Sequence, residues 1–96
     1  MFTRVPPSLA TPMQHSTYRE SCQAKGFPPP MLNWTRLRMP LPVGKTEVKG
    51  GNLTIRNLSP ADSGLYECVA TNSMGTKKAT VNLVVQQEQG SFCISV

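Results

Sequence analysis

Short alternating runs of apolar and polar residues recur along this chain, each closed by Pro, Gly, Asn or Ser, and no window repeats apolar residues at helical spacing for three turns. Side chains on a strand alternate between faces, so such runs predict half-buried β-strands. The first is predicted over residues 2–5, stopped by Pro6-Pro7, and a proline-punctuated edge segment follows over 8–12. Further strands are predicted over 17–25, 31–36 and 46–48. In "NLTIRNL" Leu53 and Ile55 alternate inward, and in "LYECVAT" Tyr66, Cys68 and Ala70 do so. The last strand, over 76–85, turns Val81, Leu83 and Val85 inward. Seven or eight strands joined by short turns predict an all-β, two-sheet antiparallel sandwich.

Three features then converge. Cys22 and Cys68 stand 46 positions apart, Trp34 follows Cys22 by 12, and "LTIRNLSPADSGLYEC" places Tyr66 two residues before Cys68. In this order and spacing they resemble an immunoglobulin-superfamily domain, and the short stretch between Trp34 and Leu53 is similar to the intermediate (I) set. The resemblance covers Phe2 to about Val85 and implies an immunoglobulin-like Greek-key sandwich. It implies a Cys22–Cys68 disulfide between the sheets with Trp34 packed over it, which in the chain-entropy model stabilises the fold by about 4 kcal/mol. It also implies a tyrosine corner in "DSGLY": Asp62 caps a tight turn, Gly64 tolerates its backbone, and the Tyr66 hydroxyl bonds back to the chain. The domain is expected over residues 1–86 and a disordered tail over 87–96, where Cys93 is the odd cysteine and is expected as a free thiol. Two other readings of Cys22 and Cys68 stay open: reduced core thiols, as in an intracellular relative of this fold, and zinc ligands. Zinc needs about four donors, and His15 and Cys93 lie on distant segments.

Composition narrows the function classes. Ninety-six residues suffice for one core. A single His and a single Asp leave acid-base or nucleophilic catalysis without partners, because His15 falls in a turn and Asp62 is committed to the corner. No enzyme, no cofactor and no metal site is expected. The net charge of +5 comes from scattered residues with no run denser than Lys77-Lys78, so a nucleic-acid partner is not expected. No apolar run is long enough to span or insert in a membrane, and no signal peptide is read in this segment.

Asn33, Asn52 and Asn57 each begin an Asn-X-Ser/Thr sequon and are candidate N-glycosylation sites, which favours an extracellular or cell-surface chain. With Trp34 inward, Thr35 points outward on the sheet of Cys68, together with Glu67, Val69 and Thr71. From the last strand Thr80, Asn82 and Val84 join this face, a mildly apolar strip suited to pairing. The opposite sheet presents Arg19, Ser21, Asn52, Thr54 and Arg56 and is the more basic. The resemblance implies a non-catalytic adhesion or recognition module of a cell-surface or secreted multidomain protein. Its partners would be a cell-surface or matrix protein, a second copy included, and neighbouring immunoglobulin-type domains. Two alternatives remain: an intracellular scaffold or spring module, and a basic module that binds heparin-like proteoglycan chains.

Glu20 departs from the pattern, because it shares its strand face with Cys22, where the family usually places an apolar residue. An ionised, enclosed and unpaired carboxylate costs several kcal/mol. Solvent access is therefore expected, either near Tyr66 at the sandwich end or through a bulge between Tyr18 and Cys22.

Overall fold

A computed structural model of the chain describes residues 2–87. The described residues form β1 (Phe2–Arg4), β2 (Leu9–Ala10), β3 (Tyr18–Ser21), β4 (Gln23–Ala24), β5 (Met31–Arg36), β6 (Thr46–Lys49), β7 (Asn52–Ile55), β8 (Gly64–Asn72) and β9 (Gly75–Leu83). One turn of 3-10 helix, Pro60–Asp62, precedes β8. One layer has the order β2-β9-β8-β5 and the other β3-β7-β6, with β1 and β4 pairing beyond the end of β3. This is the all-β two-sheet sandwich that the residue pattern predicts, in the immunoglobulin-like form that the resemblance implies. All ladders are antiparallel except β2 with β9, where Leu9 and Ala10 run alongside Asn82 and Leu83.

The core is made by the period-two alternation of both layers. Trp34, Tyr66, Cys68, Val81 and Leu83 enter from one layer and Cys22, Leu53 and Ile55 from the other, all buried. Leu58, just past β7, is fully enclosed as well. At roughly 25 cal/mol per Å² of apolar surface removed from water, each such side chain contributes about 1.5–3 kcal/mol. Cys22 and Cys68 are disulfide-bonded across the layers, with Cα atoms 6.6 Å apart.

The strand expected over 17–25 is divided. β3 pairs with β7 from Tyr18 opposite Ile55 to Ser21 opposite Asn52, whereas β4 pairs with β1. Between them Cys22 leaves the strand pairing and donates its N–H to the Gly51 carbonyl at 2.9 Å. That division accounts for nine strands where seven or eight were expected. The proline-rich edge segment over 8–12 is ordered as a strand only at Leu9–Ala10.

Glu20 follows neither expected route. Tyr18 to Ser21 keep continuous register with β7, so no bulge lies there, and Glu20 stays opposite Leu53. Its partner is Tyr18, not Tyr66: the Tyr18 hydroxyl donates to Glu20 Oε1 at 2.9 Å, and the Ser21 N–H lies 3.3 Å from Oε2. Glu20 is half-buried, lines a surface recess and so keeps contact with solvent. β3 ends its layer, and a carboxylate on that flank reaches both a buried hydroxyl and water.

Candidate functional site

The outward face of the β2-β9-β8-β5 layer is carried by four strands, against three in the β3-β7-β6 layer. Strand register sets its rows: Thr35 lies beside Glu67 and Glu67 beside Thr80, while Asn33 lies beside Val69 and Val69 beside Lys78. Thr71 pairs with Thr76, and their hydroxyls are 3.3 Å apart. Thr35, Thr71, Thr80, Asn82 and Val84 are exposed, and Glu67 and Val69 are half-buried. All seven residues expected on this face therefore share it. Two residues not expected there also lie on this face: Leu65, beside Asn82, and Leu9, beside Asn82 from β2. They are 41% and 55% exposed and make one end of the face the more apolar. Leu65 precedes inward Tyr66, so alternation alone places it outward; Leu9 was hidden by the prolines that obscured β2.

β5 is the edge of this layer. Leu37 donates its N–H to the Leu65 carbonyl, so by antiparallel alternation the peptide groups of Leu32, Trp34 and Arg36 point away from β8. The Trp34 N–H is not left open: Asn33 Oδ1 accepts it at 3.0 Å. An edge strand with unpaired peptide groups invites non-specific pairing, and this side-chain amide closes one of those positions. A glycan added at Asn33 would leave Oδ1 in place and project from the same face. Asn52 and Asn57 are exposed too, and Asn57 has a positive φ of 48°.

The corner that fixes the start of β8 has the predicted geometry. The Tyr66 hydroxyl donates to the Asp62 carbonyl at 2.6 Å, and Asp62 Oδ2 accepts the Ser59 N–H at 2.9 Å. Lys45 Nζ approaches the same carboxylate at 2.7 Å and also donates to the Asn57 carbonyl. Gly64 has a φ of +154°, and a Cβ there would stand 3.2 Å from Arg36 Nε. Arg36 in turn donates to the Ala61 and Ser63 carbonyls and lies over the Tyr66 ring at 5.4 Å. Burial pushes the Tyr66 hydroxyl up to about 12, with Arg36 opposing the shift and Asp62 adding to it. Asp62 is thus occupied by structural bonds, and the pattern had not revealed that Arg36 and Lys45 complete the corner.

At the other end of the sandwich, the 27–31 and 72–75 loops meet where Asn72 Nδ2 donates to the Pro28 carbonyl at 2.8 Å. No group of three or more His, Cys, Asp or Glu side chains able to hold a metal occurs among the described residues. No helix there is long and apolar enough to cross a membrane. Cys93 and the tail from residue 88 onward lie outside the described residues.

Comparison with known proteins agrees with this geometry. The immunoglobulin I-set domain family matches residues 1–85. The chain is 46% identical over 65 residues to the basement membrane-specific heparan sulfate proteoglycan core protein of Mus musculus, covering 68% of this chain and 2% of that protein. It is 30% identical over 92 residues to the neuronal cell adhesion molecule of Rattus norvegicus, covering 84% of this chain and 8% of that protein. The chain therefore spans only a small part of the curated relatives it matches. Among solved structures, Sidekick-1 immunoglobulin domains 1-5 match with a TM-score of 0.83 at 33% identity, covering 90% of this chain and 19% of that one. The titin M3 domain matches with a TM-score of 0.73 at 28% identity, covering 90% of this chain and 95% of that one. With its bridged cysteines, packed tryptophan and tyrosine corner in the expected places, this chain belongs to the immunoglobulin I-set family.

Proposed function

We propose that this domain is a non-catalytic recognition module in the extracellular part of a cell-surface or secreted multidomain protein, and that it contacts a partner protein through the outward face of the β2-β9-β8-β5 layer. The observation that carries the proposal is the character of that face. It is regular and mixed apolar-polar, and Leu9 and Leu65 enrich one end in exposed apolar surface. The Cys22–Cys68 disulfide supports an oxidising compartment. So do the relatives, one named for the basement membrane and one for cell adhesion. A second copy of the chain is one partner this face would suit, and neighbouring immunoglobulin domains in the parent chain are another. Protein isolated from its natural source should lose mass at Asn33, Asn52 or Asn57 on treatment with an N-glycosidase. Absence of glycan at all three positions, together with free thiols at Cys22 and Cys68, would defeat the extracellular assignment.

The likeness to titin M3 favours a second reading, an intracellular scaffold module. In that setting the same sandwich carries load or spacing, and Cys22 and Cys68 stay reduced.

A further inference from the structure

We propose that the opposite layer carries a binding site for a sulfated saccharide, held by the guanidinium groups of Arg4 and Arg19. Alternation puts Arg19 and Ser21 of β3 and Asn52 and Thr54 of β7 on one outward face, with Arg19 opposite Thr54 and Ser21 opposite Asn52. Arg4 comes to this face from β1, which pairs with β4 at the end of β3 with a shift of register between Phe2 and Arg4. Together with Glu20 these side chains line a recess of about 280 Å³.

What distinguishes the recess is the number of uncommitted polar groups directed to one place. The side chains of Arg4, Arg19, Ser21, Asn52 and Thr54 make no hydrogen bond or ion pair with any described residue. The other arginine of this layer differs: Arg56 is paired with Glu47 at 2.8 Å. Glu20, the one carboxylate in the recess, accepts from the Tyr18 hydroxyl and lies close to the Ser21 N–H. Arg4 and Arg19 line one recess and neither is ion-paired with Glu20, so an oxyanion bound there would be offered both guanidinium groups. Arginine suits sulfate and carboxylate because its planar fork donates two parallel hydrogen bonds. The flanking amide and two hydroxyls match the hydroxyls of a sugar ring. A saccharide bearing sulfate groups is the ligand class that uses both sets of donors. The recess lies on the layer opposite the proposed protein-binding face, so one module can hold a glycan and a partner together. A glycan attached to Asn52 would stand in the same recess, so occupancy of that sequon and saccharide binding would exclude each other.

The choice of a sulfated saccharide over another oxyanion rests on the extracellular reading, but the binding measurement does not. The intact chain is titrated calorimetrically at low salt with a heparin-derived hexasaccharide and, separately, with inorganic sulfate. The R4Q/R19Q variant removes the proposed pair, and K77Q/K78Q removes equal charge from β9. The expected results are hexasaccharide binding weakened at least about tenfold by R4Q/R19Q and changed less than about threefold by K77Q/K78Q, with sulfate bound far more weakly. Both arginines are exposed, so the thermal midpoint of R4Q/R19Q should match that of the unaltered protein. Equal weakening by both pairs would mean that only net charge matters, and would overturn the site. No binding, no effect of R4Q/R19Q, or sulfate bound as tightly as the hexasaccharide would overturn it as well. Each of these failures leaves the protein-contact reading standing, because that reading concerns the other layer.

Discussion

The indole N–H of Trp34 donates to the carbonyl oxygen of Gly51 at 3.0 Å, and the same oxygen accepts the Cys22 N–H at 2.9 Å. One peptide oxygen in the turn before β7 thus ties the tryptophan of one layer to the cysteine of the other. A buried indole needs a partner for its N–H, and a buried cysteine outside the strand pairing needs one for its peptide. Gly51 serves both because its backbone passes close to Cys22. A Cβ at Gly51 would collide with the Cys22 carbonyl oxygen and come within 2.9 Å of Leu32 Cδ1.

Gly51→Ala should therefore destabilise the domain by about 3 kcal/mol or more, since backbone must move at the junction of both layers. Chemical denaturation checks this. Trp34→Phe should cost about 2 kcal/mol, from the lost hydrogen bond and the space the smaller ring leaves. If Gly51→Ala folds with unaltered stability, the close passage of the two segments is wrong.

Tyr66→Phe removes only the hydroxyl that reaches the Asp62 carbonyl and should cost about 1–2 kcal/mol. Asp62→Ala should cost more than Tyr66→Phe, because it releases the Ser59 N–H and leaves Lys45 without its carboxylate. Equilibrium unfolding in urea ranks the two. The reverse ranking would contradict the roles given to the corner.

Glu20→Leu restores the apolar type expected two residues before the cysteine, yet it strands the Tyr18 hydroxyl. A single Glu20→Leu change should cost about 1 kcal/mol, and Tyr18→Phe in the same chain should recover most of it, since replacing both partners by apolar groups is close to neutral. A double-mutant cycle measures the coupling. Additive changes would show that the two groups do not interact.

Stability should fall in alkali. Burial, then the hydrogen bond to Glu20, pushes ionisation of Tyr18 well above the ordinary 10.0. Burial pushes Tyr66 to about 12. Above pH 10 the unfolded chain releases phenolic protons that the folded chain retains, so the stability present below pH 10 is lost as pH rises through about 12. Urea midpoints at pH 8 and about pH 11 should show the decline, and the Tyr18→Phe/Tyr66→Phe variant should show a shallower one. An equal slope in the variant would assign the loss to other groups.

Much of the fold was legible because the sandwich rests on alternation. Tyr66, Cys68 and Ala70 in β8, and Val81, Leu83 and Val85 in and just beyond β9, are inward where period two puts them. The division at Cys22 was not legible, because it depends on Gly51 approaching from a hairpin 29 residues later, and local patterning carries no such contact. Tyr18 as the partner of Glu20 could have been read from their spacing, since residues two apart on a strand share a face. The family resemblance points to Tyr66 instead. The outward faces were readable residue by residue, but the recess on the basic layer was not. It forms where Arg4 arrives from β1, and that depends on which strand β1 joins.

The proposed extracellular role requires that Cys22 and Cys68 be oxidised in the native protein. Protein isolated from its natural source, with thiols trapped before and after reduction, would be mapped by peptide mass. Cys22 and Cys68 should be unlabelled before reduction, labelled after it, and recovered in one disulfide-linked peptide pair. Full labelling of both cysteines before reduction would contradict that role.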